Sequence, residues 1–272
     1  PLLYQIQIPM YIDTHSHLYG EEFAADREEV IQRAKEARVE KIILPDIDSQ
    51  TRSQMLELCD IYPDLLFPLI GLHPTSVQAE YKTELRKLEA QLGARKYYGI
   101  GECGIDLYWD KTYLKEQVKV FEYQLGIARE LNLPVIIHAR ESLEVIFTSL
   151  KKYPYLKGIF HCFSGDINQA EQAIDRGFLL GIGGVVTFKN TQLDKVLLKT
   201  GLFSLVLETD SPYLAPVPYR GKRNESSYIP LIAQKIADIL QEDIKKIEKI
   251  TTQNAMNLFT LHPENASNRQ YE

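Results

Sequence analysis

Two histidines, His15 and His17, stand two residues apart in the first strand-like segment of the chain, residues 11–18. Side chains two positions apart on a strand point to the same face, so both imidazoles are presented together. Burying two imidazoles requires partners for four ring nitrogens, which an apolar core does not supply. The pair therefore favours metal ligation over a structural role.

Four further side chains of metal-binding type follow other strand-like segments. They are Glu102, His138, His161 and Asp210. In a parallel barrel the carboxyl ends of all strands lie at one face, so these four side chains and the two histidines are expected to converge there. Four imidazoles and two carboxylates can hold two divalent ions, with one carboxylate shared between them.

Such a pair of ions would support hydrolysis, because bound metals lower the pKa of water to about 7 and stabilise the leaving oxygen. Asp210 is predicted to accept or orient the proton of that water, and Glu102 is a second catalytic candidate. Glu208 lies two residues before Asp210. It is expected to hold a neighbouring group in place rather than to bind metal.

Positively charged side chains near the predicted site are candidates for binding an anion. Lys222 and Arg223 belong to a basic loop, residues 220–224, that either grips a phosphate or is simply solvated. Arg140, at the end of the fifth strand-like segment, is a second anion-binding candidate. His73, at the end of the third, is predicted to contact substrate.

The chain has three cysteines, an odd number. None is spaced from another as in a zinc knuckle or a redox pair, so we interpret them as reduced thiols. If Glu102 and His161 point inward, then Cys103 and Cys162, the next residues, must point outward beneath the helices. Both are predicted to be buried apolar fillers without a catalytic role.

Eight strand-like runs alternate with helical segments. They span residues 11–18, 41–47, 66–73, 97–105, 134–140, 156–163, 178–186 and 205–210. Several are continuous apolar runs, which is typical of parallel strands covered on both faces. The clearest helix spans 114–131, with apolar residues every three or four positions, and 226–261 is helical too. This order predicts an α/β fold, a single-domain (β/α)8 TIM barrel.

A doubly wound open sheet is the alternative architecture. Its dinucleotide-binding form needs a glycine fingerprint, and the cluster Gly181, Gly183 and Gly184 lacks the final glycine and the acidic residue of that fingerprint. These glycines are interpreted as allowing close packing at a strand end. The barrel is expected to span residues 10–262, preceded by a leader or expression-derived segment, 1–9, and followed by a polar tail, 263–272.

The composition, 44% hydrophobic and 25% charged, is that of a globular protein and excludes collagen-like and disordered classes. A chain of this size buries about three quarters of its unfolded surface, so a metal would serve function rather than folding. The formal net charge of -6 argues against a protein that coats nucleic acid, although not against a nuclease with charge at one cleft. We expect a cytoplasmic protein with no membrane span and no stable protein partner.

Seven motifs along the chain resemble those of one family. In order they read DTHSHL, GLHP, GECGIDLY, HARE, HCFSG, ETDSPYLAP and RGKRNE. From about residue 11 to 261 the chain is similar to the TatD family of metal-dependent deoxyribonucleases, which are amidohydrolase-like TIM barrels. The resemblance implies two divalent ions, Mg²⁺ or Mn²⁺ for activity, with Zn²⁺ or Ni²⁺ also able to bind. The ligands that it implies are His15, His17, Glu102, His138, His161 and Asp210, with Glu102 bridging.

The sequence therefore predicts a metal-dependent hydrolase, a DNase of the 3′–5′ exonuclease type that cleaves phosphodiester bonds of DNA or an oligonucleotide. One alternative is an amide or cyclic-amide hydrolase, in which the same ions promote attack on a carbonyl carbon. A third hypothesis is a binding protein that has kept the barrel without turnover. Inorganic phosphate should inhibit the first strongly, and any metal-dependent hydrolysis would exclude the third.

Overall fold

The computed structural model describes residues 10–189 and 191–261, which contain eight parallel strands and nine α-helices. The strands are β1 Tyr11–Asp13, β2 Val39–Leu44, β3 Leu66–Pro68, β4 Ile100–Asp106, β5 Val135–Arg140, β6 Gly158–Phe160, β7 Phe178–Ile182 and β8 Leu205–Leu207. The helices are α1 Arg27–Glu36, α2 Arg52–Ile61, α3 Tyr81–Leu92, α4 Leu114–Leu131, α5 Leu143–Leu150, α6 Ile167–Asp175, α7 Leu193–Thr200, α8 Ile229–Leu240 and α9 Ile244–Phe259. The predicted leader, 1–9, and polar tail, 263–272, lie outside the described residues.

The strands close into a ring. Strands β1 to β3 pair in order, as do β4 to β8, and every pair is parallel. Single parallel bridges join the two sheets, one between Ile70 and Ile100 and one between Ser16 and Ser211. An open sheet has free edges, whereas here both edges of each sheet are joined. The (β/α)8 barrel is confirmed and the open-sheet alternative is wrong.

The barrel interior is filled by an apolar layer below the predicted site. It is formed by residues of the strands and by Leu69, just after β3: Ile12, Ile43, Phe67, Leu69, Ile136, Ile159 and Val206, all buried. Ala255 and Phe259 of α9 pack against this layer. Ile136 and Ile159 precede His138 and His161 by two residues, so alternation places the histidines directly above the layer. A rigid apolar floor thus supports the polar site.

Helix α4 has the predicted bounds and also anchors the end of β4 and the segment that follows β3. The side chain of Gln117 bonds both the amide and the carbonyl of Asp106, and Gln124 bonds both groups of Leu72. These buried amides satisfy backbone groups that the barrel ladder leaves unpaired. The predicted apolar stripe holds in the middle of the helix, but Leu131 is 49% exposed because it lies at the C-terminal end, just before the left-handed cap.

Two bidentate ion pairs fix the loop after β8, one to helix α1 and one to Asp26, the residue before that helix. The Arg33 guanidinium donates to both oxygens of Glu225, at 2.8 and 2.7 Å. Arg223 donates to both oxygens of Asp26, each at 2.7 Å. Paired N–H groups facing a carboxylate are the strongest form of ion pair. We call these four residues the α1 clamp.

Within residues 10–189 and 191–261, none of the helices combines the length and the apolar character that crossing a bilayer requires.

Candidate metal centre

The predicted site residues converge on a cavity of about 630 Å³ at the carboxyl ends of the strands. Its lining includes His17, His73, Glu102, His138, Arg140, His161 and Asp210. His15 is fully buried against this set, with its Nε2 atom 3.2 Å from Nε2 of His17. We use the name metal cluster for seven of these residues: His15, His17, His73, Glu102, His138, His161 and Asp210. The structure therefore brings together all six predicted ligands.

Several of these residues do not lie exactly at strand ends as predicted. Strand β1 ends at Asp13, so His15 and His17 follow it in irregular backbone. Asp13 shapes that segment, because its Oδ1 accepts a hydrogen bond from the amide of His15. Glu102 and His138 instead lie inside β4 and β5, which extend beyond the site.

The Glu102 carboxylate is the centre of the metal cluster. Five imidazole nitrogens surround it: Nε2 of His15 at 3.1 Å, of His17 at 3.6 Å, of His73 at 3.3 Å and of His161 at 3.3 Å, and Nδ1 of His138 at 2.8 Å. Asp210 adds a second carboxylate, with Oδ1 3.7 Å from Nε2 of both His15 and His17. A carboxylate has about four lone-pair sites, so five N–H donors cannot all bond to it.

The hydrogen bond at Nδ1 of His17 determines which ring nitrogen carries the proton and which presents a lone pair to the cavity. The Tyr19 hydroxyl donates to the carbonyl of Pro45 at 2.6 Å, so its oxygen can only accept from His17 Nδ1, 3.0 Å away. The proton of a neutral His17 therefore lies on Nδ1. Nε2 is left free to bind a metal ion.

His161 and His138 are held in the same way by carboxylates on their far side. Glu208 Oε1 accepts from the amide of Cys162 and from Nδ1 of His161, 3.2 Å away. Asp106 Oδ2 accepts from Nε2 of His138 at 2.9 Å. Each neutral ring then presents its other nitrogen, unprotonated, to Glu102. Such outer carboxylates orient histidine ligands and increase their basicity.

His73 has the opposite tautomer. Its Nδ1 accepts a hydrogen bond from the amide of Thr75 at 3.1 Å, so a neutral ring carries its proton on Nε2. That N–H points at Glu102 Oε1. His73 is therefore suited to donate a hydrogen bond inside the cavity, whereas His17, His138 and His161 are suited to bind metal.

Burial and neighbouring charges set the protonation of the metal cluster. Burial lowers the pKa of His17 to about 4 and that of His15 well below its usual value, so both are neutral. Burial by itself would raise the pKa of Glu102, but the surrounding histidines, His73 first, hold it well below its ordinary 4.5. Burial raises the pKa of Asp210 to about 7. Burial opposes charge on His138 and His161 too, but the carboxylates of Asp106, Glu102 and Glu208 raise the pKa of His138 and raise that of His161 well above 6.5. Metal binding by these two rings therefore releases a proton.

The donor set fits divalent metal ions. Imidazole nitrogens lie 2.8 to 3.6 Å from the oxygens of Glu102, so a divalent ion can be shared between the carboxylate and those rings that present a lone pair. Metal–ligand bonds of about 2.0–2.2 Å place neighbouring ligand atoms roughly 3.0–3.6 Å apart. Three groups of ligand atoms are close enough together to share one ion, although the third includes Nε2 of His73, which carries a proton in the tautomer described above. They are His15, His17 and Glu102; His15, His161 and Asp210; and His73, Glu102 and His138.

Two residues that support the metal cluster were not singled out from the sequence. Asp106 orients His138, and Tyr19 orients His17. The sequence could have indicated Asp106, because it lies four residues after Glu102 on the same strand and strand alternation puts both side chains on the inner face. The role of Tyr19 depends on the distant carbonyl of Pro45, and no local pattern indicates it.

The structure does not bring Lys222 and Arg223 to this cavity. Arg223 is held by Asp26 and lies over the ring of Phe23, 4.7 Å from its centroid. Both basic residues instead line a separate cavity with Arg33. The geometry does not support phosphate binding by this loop at the metal site, because the loop lines another cavity and the charge of Arg223 is already paired in the α1 clamp.

Cys103 lies where strand alternation predicts, whereas Cys162 does not. Cys103 is fully buried in the core between the barrel and its helices. Cys162 lines the cavity, because β6 ends at Phe160 and the φ of Cys162, 45°, breaks the strand alternation. Burial raises the pKa of the Cys162 thiol to about 12, so it is not a thiolate at neutral pH. A catalytic role for this cysteine remains disfavoured.

A closed parallel barrel whose strand ends carry a histidine and carboxylate cluster of this kind is the architecture of a metal-dependent hydrolase. The family model described as "TatD related DNase" matches residues 12–260, and the chain belongs to the TatD family.

Several relatives match over nearly their whole length. An uncharacterized metal-dependent hydrolase of Bacillus subtilis, YabD, is 39% identical, over 93% of this chain and 100% of its own. A protein of Pectobacterium atrosepticum named as the 3′-5′ ssDNA/RNA exonuclease TatD is 31% identical, over 92% of this chain and 98% of its own. The crystal structure of the TatD homologue YjjV of Escherichia coli superposes with a TM-score of 0.87, at 31% identity, covering 93% of this chain and 98% of that one.

Proposed function

We propose that this metal-dependent hydrolase is a phosphodiesterase that removes nucleotides from the 3′ end of DNA or an oligonucleotide. One observation carries the proposal: the cavity that contains the metal cluster is also lined by Arg140. Its guanidinium contacts the rings of Tyr108 and Trp109 and belongs to none of the ion pairs found among the described residues. An unpaired guanidinium beside a metal-binding cluster provides a site for a phosphate.

In this proposal His15, His17, Glu102, His138, His161 and Asp210 would hold two ions, with Glu102 shared between them. When bound, two divalent ions would lower the pKa of a water molecule and offset the charge that develops on phosphate oxygens. Mg²⁺ or Mn²⁺ is the expected physiological metal, and Zn²⁺ or Ni²⁺ suits the imidazole ligands too.

The remaining steps belong to side chains of this chain. The Asp210 carboxylate lies at the edge of the cluster and lines the cavity, where it is placed to accept the proton of the attacking water. His73 donates through Nε2 to an oxygen of the scissile phosphate, as its tautomer allows. Arg140 binds the next phosphate and holds the strand in line.

The name of the Pectobacterium relative supports a nucleic-acid substrate for this chain. The experiment that tests the proposal is cleavage of 3′- and 5′-labelled single-stranded oligonucleotides with Mg²⁺ or Mn²⁺, resolved by product length. We expect stepwise shortening from the 3′ end by the wild-type protein and none by Asp210→Asn. Cleavage by Asp210→Asn at the wild-type rate would remove Asp210 from the mechanism.

The amide-hydrolase alternative is tested in the same assay by adding inorganic phosphate. A phosphodiesterase whose cavity binds phosphate at Arg140 should be inhibited competitively, and Arg140→Gln should weaken that inhibition. Hydrolysis of amide substrates without any phosphate inhibition would favour the alternative.

A further inference from the structure

Two large aromatic side chains stand exposed at the rim of the metal-cluster cavity. Trp109 is 71% exposed and lines the cavity, and Tyr108 beside it is 51% exposed. Their rings meet edge to face, with centroids 4.9 Å apart and planes at 88°. In this arrangement the edge of one ring meets one face of the other, and the high exposure of Trp109 leaves much of its indole open to a flat ligand.

These aromatics are anchored to the metal cluster through Asp106. Its Oδ1 accepts hydrogen bonds from the amides of Tyr108, at 2.9 Å, and Trp109, at 3.4 Å. Its Oδ2 holds His138. One carboxylate therefore fixes the position of the aromatic rim relative to a predicted metal ligand, and the rim is built into the site rather than added on a free loop.

Arg140 joins the same rim. Its guanidinium carbon lies 3.8 Å from the ring centroid of Tyr108 and 5.3 Å from that of Trp109. Cation–π contact holds the guanidinium in place while leaving its N–H groups available to an anion. A flat apolar surface and a fixed positive charge thus lie side by side, which matches the base and phosphate of one nucleotide.

We propose that Trp109, supported by Tyr108 and Arg140, is the platform on which an unpaired base of the substrate strand stacks beside the scissile bond. This inference rests on the proposed phosphodiesterase function and names a residue that determines how the strand is held. Stacking on aromatic side chains tolerates every base, so the platform would position the strand without reading its sequence.

Trp109 is the single tryptophan of the chain, so its emission reports on the platform directly. The experiment titrates Asp210→Asn protein, with magnesium present, with a short 5′-labelled oligothymidylate and follows tryptophan quenching and label anisotropy together. We expect saturable quenching. A strand with abasic 3′-terminal nucleotides should lose the quenching and bind more weakly. In the same background Trp109→Ala should weaken binding roughly 5- to 150-fold, and Trp109→Phe by less.

Phe203→Ala is the matched control, because Phe203 is 74% exposed and does not line the cavity. It should bind the strand like the Asp210→Asn parent. Binding without quenching, or equal binding by Trp109→Ala and Phe203→Ala, overturns the platform. If a strand quenches the tryptophan but the wild-type protein does not cleave it, the platform stands and the phosphodiesterase proposal is overturned. If the strand is cleaved without quenching, the phosphodiesterase proposal stands and the platform is overturned. If the strand is neither bound nor cleaved, both proposals are overturned.

Discussion

Asp106 shows how one side chain can serve two parts of a site. Its Oδ2 accepts a hydrogen bond from Nε2 of His138, and its Oδ1 accepts one from the backbone amide of Tyr108 at the cavity rim. Asparagine has only one acceptor oxygen, so Asp106→Asn must give up one of these bonds. If His138 loses its partner, metal affinity should fall about 10- to 100-fold. Calorimetric titration of the metal-free variant with Mn²⁺ measures the change.

The control for Asp106→Asn is Asp110→Asn in the same loop. Asp110 is exposed, and its carboxylate accepts a hydrogen bond only locally, from Thr112. The control should bind Mn²⁺ as the wild-type protein does. Equal losses in both variants would mean that folding of the loop, rather than the orientation of His138, sets the affinity.

The tautomer of His73 makes a separate prediction at the same scale. Because Thr75 donates to its Nδ1, the Nε2 atom carries a proton and does not bind metal. His73→Ala should therefore lower kcat on oligonucleotides about 10²- to 10³-fold while leaving the metal content per chain unchanged. His17→Ala should lose metal. Loss of one ion from His73→Ala, seen by elemental analysis, would identify His73 as a ligand instead.

At the scale of elements, the close approach of β7 to the side chain of Glu208, the residue after β8, depends on a glycine. A Cβ atom at Gly181 would lie 2.2 Å from Oε2 of Glu208, the residue that orients His161. Gly181→Ala must displace that carboxylate, so we expect a loss of about 1–3 kcal/mol in the free energy of unfolding and weaker metal binding. Urea unfolding and metal titration measure the two effects.

Gly183→Ala is the comparison for Gly181→Ala. Its Cβ would make only ordinary contacts, 3.5 Å from the backbone oxygen of Glu208, and its φ of -111° suits any residue. It should be tolerated. If both substitutions cost the same, the backbone of this strand end, rather than the Glu208 carboxylate, is the sensitive feature.

At the scale of the whole molecule, the α1 clamp ties the last loop of the barrel to its first helix. Burial opposes ionisation of Glu225, but hydrogen bonds from Arg33 hold its pKa below the ordinary 4.5. A carboxyl with a lowered pKa stabilises the fold above its unfolded pKa, and this contribution is lost as the pH falls through the folded value. The clamp should therefore weaken in acid.

We predict that Glu225→Gln lowers the free energy of unfolding by about 1–2 kcal/mol at pH 7 and that the difference from wild type shrinks towards zero below about pH 4. Urea unfolding followed by circular dichroism at both pH values tests this. Glu242→Gln, which removes an exposed pair with Lys246, should cost less than about 0.5 kcal/mol at either pH. A pH-independent loss in Glu225→Gln would exclude the ion pair as its cause.

Much of the architecture followed from local patterns along the chain. Continuous apolar runs and three- to four-residue spacing are properties of single elements, so the eight strands and helix α4 were predictable. The H-x-H pair and the acidic and histidine residues after other strands were predictable too, because the carboxyl ends of parallel strands meet at one face.

Which atoms meet at that face depended on contacts between residues far apart in sequence. Arg223 pairs with Asp26, and Tyr19 reaches Pro45 to fix His17. The inward turn of Cys162 arises where a short strand ends. The sequence by itself determined the residue types and their order around the barrel. Only the tertiary structure decided tautomers, ion-pair partners and the aromatic rim, because hydrogen bonds and charge pairing act through space and depend on positions that no local periodicity encodes.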